Sequence, residues 1–96
     1  MTKADLVTDI SEKTGVEKVA VQATIESFMQ SVIETMESGE NVYLRGFGSF
    51  IVKTRAEKTG RNISKNTAVI IPAHNIPSFK PSKTFVESVK KNVPVG

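Results

Sequence analysis

Between residues 18 and 37 an apolar stripe recurs at helical spacing, and it is too wide for the rest of the chain to cover. Val21, Ile25, Phe28, Met29, Val32, Ile33 and Met36 follow one another at steps of three, four and one. That spacing draws a broad apolar face along a long helix. Glu26, Gln30, Glu34 and Glu37 mark the wet side, and Gly39 ends the run. The 96 residues fit one domain, yet residues 53–67 are almost wholly polar and add nothing to a core. A chain this short buries a small share of its surface. It has no cysteine, so no disulfide can staple it. Oligomerisation is the remaining common remedy. A second copy is therefore expected to cover the stripe, the alternative being that the sheet of the same subunit suffices.

The segment before this helix predicts a shorter one. Thr2 followed by Asp5 has the chemistry of a helix start. Leu6, Val7 and Ile10 form one apolar face, and Gly15 suits the C-terminal cap. The pattern changes from residue 41. Val42–Leu44 reads as a short strand. Gly46-Phe47-Gly48 reads as a tight turn in which both glycines can take positive φ. Residues 49–52 resume as a strand. The polar run 53–62 and the strand-like 68–71 fold back around Ile63-Ser64-Lys65-Asn66, with Asn66 suited to positive φ. Such a ribbon has no apolar face and is expected to be mobile until something rigid orders it. Pro72 and Pro77 are expected to limit ladder pairing and bracket the return to the body. Phe79 then re-enters the core. Ser82 suits the N-cap of a final short helix carrying Phe85, Val86 and Val89 inward, with Lys83, Lys90 and Lys91 outward.

Charge divides the chain more sharply than its net +3 suggests. Residues 1–42 hold three bases (Lys3, Lys13, Lys18) and eight acids; residues 43–96 hold ten bases and two acids, Glu57 and Glu87. The second half thus points to a polyanion partner, or else to a solvated basic face. Lys53, Arg55, Lys58, Arg61 and Lys65 fall within thirteen residues with a single acid. Residues two apart on a ribbon share a face. Lys53, Arg55 and Arg61 have one parity and Lys58 the other, so both faces carry positive charge. No aromatic lies between residues 51 and 78, which argues against a stacking platform for single strands or RNA loops. A duplex contacted through phosphates and groove shape fits better.

Catalysis has little to work with. His74 is the only histidine and cannot form a metal set or a triad alone. It reads as a surface or sheet-edge residue. The glycine turn lacks the rest of any phosphate-binding fingerprint. No enzyme, cofactor, metal or small-molecule substrate is expected. No run of about 18 apolar residues exists to span a membrane, and the first residues hold no signal-length apolar run. A cytoplasmic protein is the default.

Three motifs carry a resemblance. They are Gly46-Phe47-Gly48-Ser49-Phe50, then Arg55-Ala56-Glu57-Lys58-Thr59-Gly60-Arg61-Asn62, then Asn75-Ile76-Pro77-Ser78-Phe79 with Lys83 beyond. Together they resemble the HU/IHF family of bacterial DNA-bending proteins over essentially the whole chain. The resemblance implies an α+β fold in one unit, 1–96. An N-terminal helical hairpin (1–40) intertwines two subunits. A three-stranded antiparallel sheet with a long flexible β-ribbon arm follows (41–80, the arm about 53–75). A short C-terminal helix and tail (81–96) complete it. The arms of a homodimer, or of a heterodimer with a paralogue, would wrap the minor groove of duplex DNA in the nucleoid.

Carried over residue by residue, the resemblance implies arm contacts from Arg55, Lys58, Arg61, Asn62 and Ile63, in a tip that also holds Lys65. It implies phosphate contacts from Arg45, Lys53, Lys80 and Lys83 on the saddle, and a weaker flank contact from Lys3. Phe47, Phe50 and Phe79 become shared dimer core, and Val21, Ile25, Phe28, Val32 and Met36 the helical seam. The tip departs from the family pattern. Ile63 stands where a wedging proline usually does, Lys65 replaces threonine and Asn66 replaces glycine. An isoleucine can itself wedge between base steps. The reading is an architectural protein that bends and compacts DNA largely without regard to sequence. Its rivals are a sequence-preferring bender of the IHF type and an interaction protein that docks an acidic partner.

Overall fold

The computed structural model describes residues 1–62 and 67–96. The expectations for Ile63, Lys65 and Asn66 lie outside the described residues. The chain opens with α1 (Lys3–Thr14) and α2 (Lys18–Glu37), followed by β1 (Val42–Leu44), β2 (Gly48–Arg55), β3 (Lys58–Asn62), β4 (Thr67–Ile71), β5 (His74–Pro81) and α3 (Lys83–Asn92). The β1, β2 and β5 strands form one antiparallel sheet in the order β1-β2-β5, and β3 with β4 forms a separate two-stranded ribbon.

The helix ends follow their local chemistry. Thr2 caps α1 by accepting from the Asp5 amide, and the Asp5 carboxylate accepts from the Thr2 amide at 2.9 Å. The Thr2 amide and, after it, the Thr2 hydroxyl at 3.0 Å both donate to the Asp5 carboxylate, and they hold the Asp5 carboxyl below its usual range. Gly15 closes α1 in the left-handed region, φ 76°, where a side chain would be strained. Lys3 on α1 reaches Glu26 on α2 at 2.9 Å. The bond from Lys3, then that from Gln22, keeps the Glu26 carboxyl low. At the other end Ser82 caps α3 by accepting from the Phe85 amide.

Two corrections concern the sheet. Gly46 takes positive φ but Gly48 does not; Gly48 is already the first residue of β2. Its missing side chain matters for a different reason. A Cβ there would sit 2.6 Å from the Lys80 carbonyl oxygen and 2.6 Å from the Phe79 ring. The second correction is that Pro77 does not interrupt pairing. It stands opposite Val52 in an unbroken register from Gly48↔Pro81 to Arg55↔His74. The Val52 amide turns away from β5 and donates to the Asn41 side chain at 2.8 Å. Pairs at this parity exchange no hydrogen bonds across β2 and β5, so Pro77 and Pro81 forfeit nothing by lacking an N–H.

The same alternation explains where the ladder stops. Continuing the register sets Ala56 opposite Ala73 and Glu57 opposite Pro72. The Glu57 and Pro72 positions have the hydrogen-bonding parity, and Pro72 has no donor. Pairing lapses there and resumes with Lys58↔Ile71 in the same register. The joint therefore breaks the ladder without a bulge and keeps the phase of the side chains. It also places the start of the free ribbon at residue 56, beyond the onset of the polar run at 53.

The single chain has little interior. Among the described residues only Val7 and Val21 are buried hydrophobics, each 5 % exposed. Phe28 is 44 % exposed and Ile33 49 %. Phe47, Phe50, Phe79 and Phe85 cluster with ring centroids 4.9 to 6.4 Å apart, yet Phe47 and Phe79 remain exposed. Val86 and Val89 of α3 are likewise uncovered, unlike the inward placement their spacing predicts. An open groove of about 630 Å³ runs between α2 and the sheet, lined by Phe28, Val32, Ile33, Met36, Phe50 and Val52 among others. The accessible surface is 8119 Å², against about 5,400 Å² for a compact monomer of this mass. The radius of gyration is 18.9 Å, against about 12–13 Å for a compact domain of this length. The sheet of the same subunit does not suffice to cover the stripe on α2.

Two measurements probe this description. Gly48→Ala should destabilise the protein by about 1–3 kcal/mol, because a backbone carbonyl must move to admit the Cβ; denaturant unfolding will show it, and an unchanged midpoint would refute the close approach. Backbone amides of β3 and β4 should exchange far faster than those of β2, since every described side chain of β4 is exposed and an unburied ribbon opens readily. Equal protection in ribbon and sheet would contradict the separation at the joint.

Candidate nucleic-acid interface

The sheet has two chemically distinct faces. Along β2 and its partners, Val42, Leu44, Phe50, Val52 and Phe79 alternate toward α2. The residues between them, Tyr43, Ser49, Ile51, Lys53, Arg55, His74, Ile76, Ser78 and Lys80, occupy the outer face. Antiparallel register makes the outer set contiguous: Ser49 faces Lys80, and Arg55 faces His74. Among the described residues of the three strands this face carries no carboxylate; Glu57, just past the end of β2, is the one acid of the same parity.

A second cluster forms at the end of the sheet. The Gly46 turn is stitched to the start of α3, with the Ser82 hydroxyl donating to the Gly46 carbonyl at 3.0 Å and the Ser82 amide to the Phe47 carbonyl at 2.9 Å. These bonds bring Arg45 to the same end as Lys80 and Lys83, which are remote in sequence. The Phe47–Phe85 stack at 5.5 Å fixes α3 against that turn.

Beyond the joint, Lys58 opens β3 opposite Ile71. Arg61 stands opposite Ala68 and Asn62 opposite Thr67; both are placed here by register alone. The joint preserves phase, so Arg61 has the parity of Lys53 and Arg55, and Lys58 the opposite one. Among the described residues the ion pairs are Lys3–Glu26 and Lys13–Asp9, both on the helices. The exposed cations Arg45, Lys53, Arg55, Lys58, Lys80 and Lys83 have no ion-pair partner among them. Lys3 is already engaged, on the helical hairpin rather than on the sheet.

Two residues of this face were not singled out for it from sequence. Tyr43 is 70 % exposed there, its hydroxyl accepting from the Asn41 amide at 3.1 Å. His74 sits across from Arg55, with Nδ1 2.9 Å from the Pro72 carbonyl oxygen. Alternation along β1 would have found Tyr43; placing His74 requires the β2–β5 register.

A line of cations without ion-pair partners among the described residues, on an acid-poor surface continued by a two-stranded ribbon, can hold a chain of phosphates. Comparison with known proteins agrees. The family model described as bacterial DNA-binding protein matches residues 1–90. The DNA-binding protein HU of Thermus thermophilus is 38% identical over 91 residues, covering 95% of this chain and 94% of that protein. HU of Buchnera aphidicola is 35% identical over 91 residues, covering 95% and 99%. Among solved structures, a cocrystal of Anabaena HU with DNA superposes with a TM-score of 0.90 at 38% identity, covering 94% of this chain and 98% of that one. HU from Thermotoga maritima gives 0.67 at 27%, covering 94% and 100%.

Proposed function

This chain belongs to the family of bacterial DNA-binding proteins, and from that premise we propose that it bends duplex DNA as a dimer, one β-ribbon from each subunit entering the minor groove. The observation that carries the reading is the outer face of the sheet. Arg45, Lys80 and Lys83 at one end and Lys53 and Arg55 along the strands form a single acid-poor track, with Lys58 on the opposite face of the ribbon past the joint. An Anabaena relative of similar fold was solved bound to DNA.

The mechanism follows from where charge and stiffness lie. The saddle cations neutralise phosphates and release counterions, which supplies affinity without reading bases. The ribbons extend the grip along the duplex. Two grips held at a fixed separation by a rigid body favour a bent path over a straight one, and the deformability of the DNA then sets any preference among sites. At the tip, Ile63 takes the part of the apolar wedge and Arg61, Asn62 and Lys65 the contacts around it. Binding of this kind calls for no catalysis, and its place of work is the nucleoid in the cytoplasm.

The dimer is part of the same reading. The open groove along α2, with Phe28, Val32 and Met36 on its wall, is the seat of the second copy. The uncovered Phe47, Phe79 and Val86 extend the surface that this copy would close. Ile25 continues the helical seam, whereas Val21 is already buried within the single chain.

Two experiments test the parts separately. In a gel-shift series the logarithm of affinity should fall with the logarithm of salt with a slope on the order of −5 to −10. Lys83→Ala should weaken binding to all sequences alike and flatten the slope by about one to two. A salt-independent affinity would eliminate the phosphate track. Phe28→Asp would place an unpaired charge in the seam. Such a charge costs several kcal/mol or more, against a total stability of roughly 5–10 kcal/mol. Circular dichroism should show the variant unfolded. A folded monomer that still bends DNA would rule out both dimer and clamp.

A further inference from the structure

His74 opens β5 on the outer face of the sheet. Its neighbour across the ladder is Arg55, with Lys53 on the diagonal. Glu57, across from Pro72 at the joint, is the one acid nearby in register. On its own strand the next charged residue is Lys80. The ring is exposed, and its Nδ1 lies 2.9 Å from the Pro72 carbonyl oxygen.

That one hydrogen bond decides what the ring can offer. A carbonyl only accepts, so Nδ1 carries the proton. In the neutral ring Nε2 then holds a lone pair and accepts. A phosphate oxygen also only accepts, so a neutral His74 has no donor to give it. The second proton converts Nε2 into a charged donor, the kind of group that makes the stronger phosphate hydrogen bonds. Imidazole is the side chain that changes charge in the range of about pH 5 to 8.

We propose that His74 is a proton-gated phosphate contact: protonated, it donates from Nε2 to the backbone of a duplex lying on the sheet; neutral, it does not. The proposal rests on the reading of this face as a DNA-binding surface. Its energetic consequence is reciprocal. Protonation strengthens binding, and binding takes up protons. Pro72 has two parts in this device. It stops the ladder, which leaves its own carbonyl beside the ring, and that carbonyl fixes which nitrogen faces outward.

The chain has one histidine, which makes the test specific. Affinity for a random-sequence duplex is measured at constant salt at about pH 6 and about pH 8. For the unmodified protein it should rise about threefold or more toward the lower pH. His74→Gln, whose amide can donate at any pH but never gains charge, should bind with the same affinity at both pH values. His74→Lys, permanently charged, should bind at the higher pH as tightly as the unmodified protein does at the lower one. In parallel, the ring resonances of the single histidine should titrate at higher pH in the complex than in the free protein. Binding that does not vary with pH, or a pH dependence that survives intact in His74→Gln, overturns the proposal while leaving the DNA reading in place. Failure of the unmodified protein to bind duplex at any pH overturns the DNA reading itself, and this inference with it.

Discussion

The ladder between β2 and β5 is the interaction on which the rest of the structure depends. Eight residue pairs in continuous register, from Gly48↔Pro81 to Arg55↔His74, create both surfaces of the protein at once. One set of alternate side chains meets α2, and the other faces outward with its charges. A slip of β2 by one residue would turn Phe50 out, away from Phe79, and Lys53 and Arg55 in. Gly48 secures that register at one end, because any larger residue meets the Lys80 carbonyl. Pro72 fixes it at the other by removing the donor that the next bonded pair would need. Core and interface are thus two readings of one pairing.

Much of this was legible in the sequence, and what was legible is local. The caps at Thr2, Gly15 and Ser82 lie where their side-chain chemistry places them. Both N-terminal helices follow the apolar spacing, and the element order α-α-β-β-ribbon-β-α follows from the polar run between two apolar ones. The hydrophobic shortfall could be read from the width of the stripe on α2, and the uncovered Phe28 and Ile33 are its structural counterpart.

What the sequence hid depends on partners far away along the chain. Gly46 and Gly48 look equivalent as turn glycines, yet one needs a positive φ and the other needs empty space beside Phe79. Pro72 and Pro77 look equivalent as strand breakers. Their opposite effects come from parity against β2, a relation visible only once Val52 is paired. Lys3 reads in the sequence as a weak flank contact to DNA, whereas the hairpin pairs it with Glu26. For the same reason the cationic run around residues 53–61 stood out, while the convergence of Arg45 with Lys80 and Lys83 needed the bond from Ser82 to Gly46.

The joint opposite Pro72 interrupts the hydrogen bonds without adding a residue to either strand. That sets a rule for how a ribbon of this type can change length over time. Losing or gaining one residue on a single strand would put the cations beyond it on the wrong side. Changes matched on both strands, two residues at a time on each, would keep Lys53, Arg55 and Arg61 in one line while carrying the tip closer or farther. Reach can therefore drift in steps of about 7 Å, and the orientation of the charged edge stays fixed throughout.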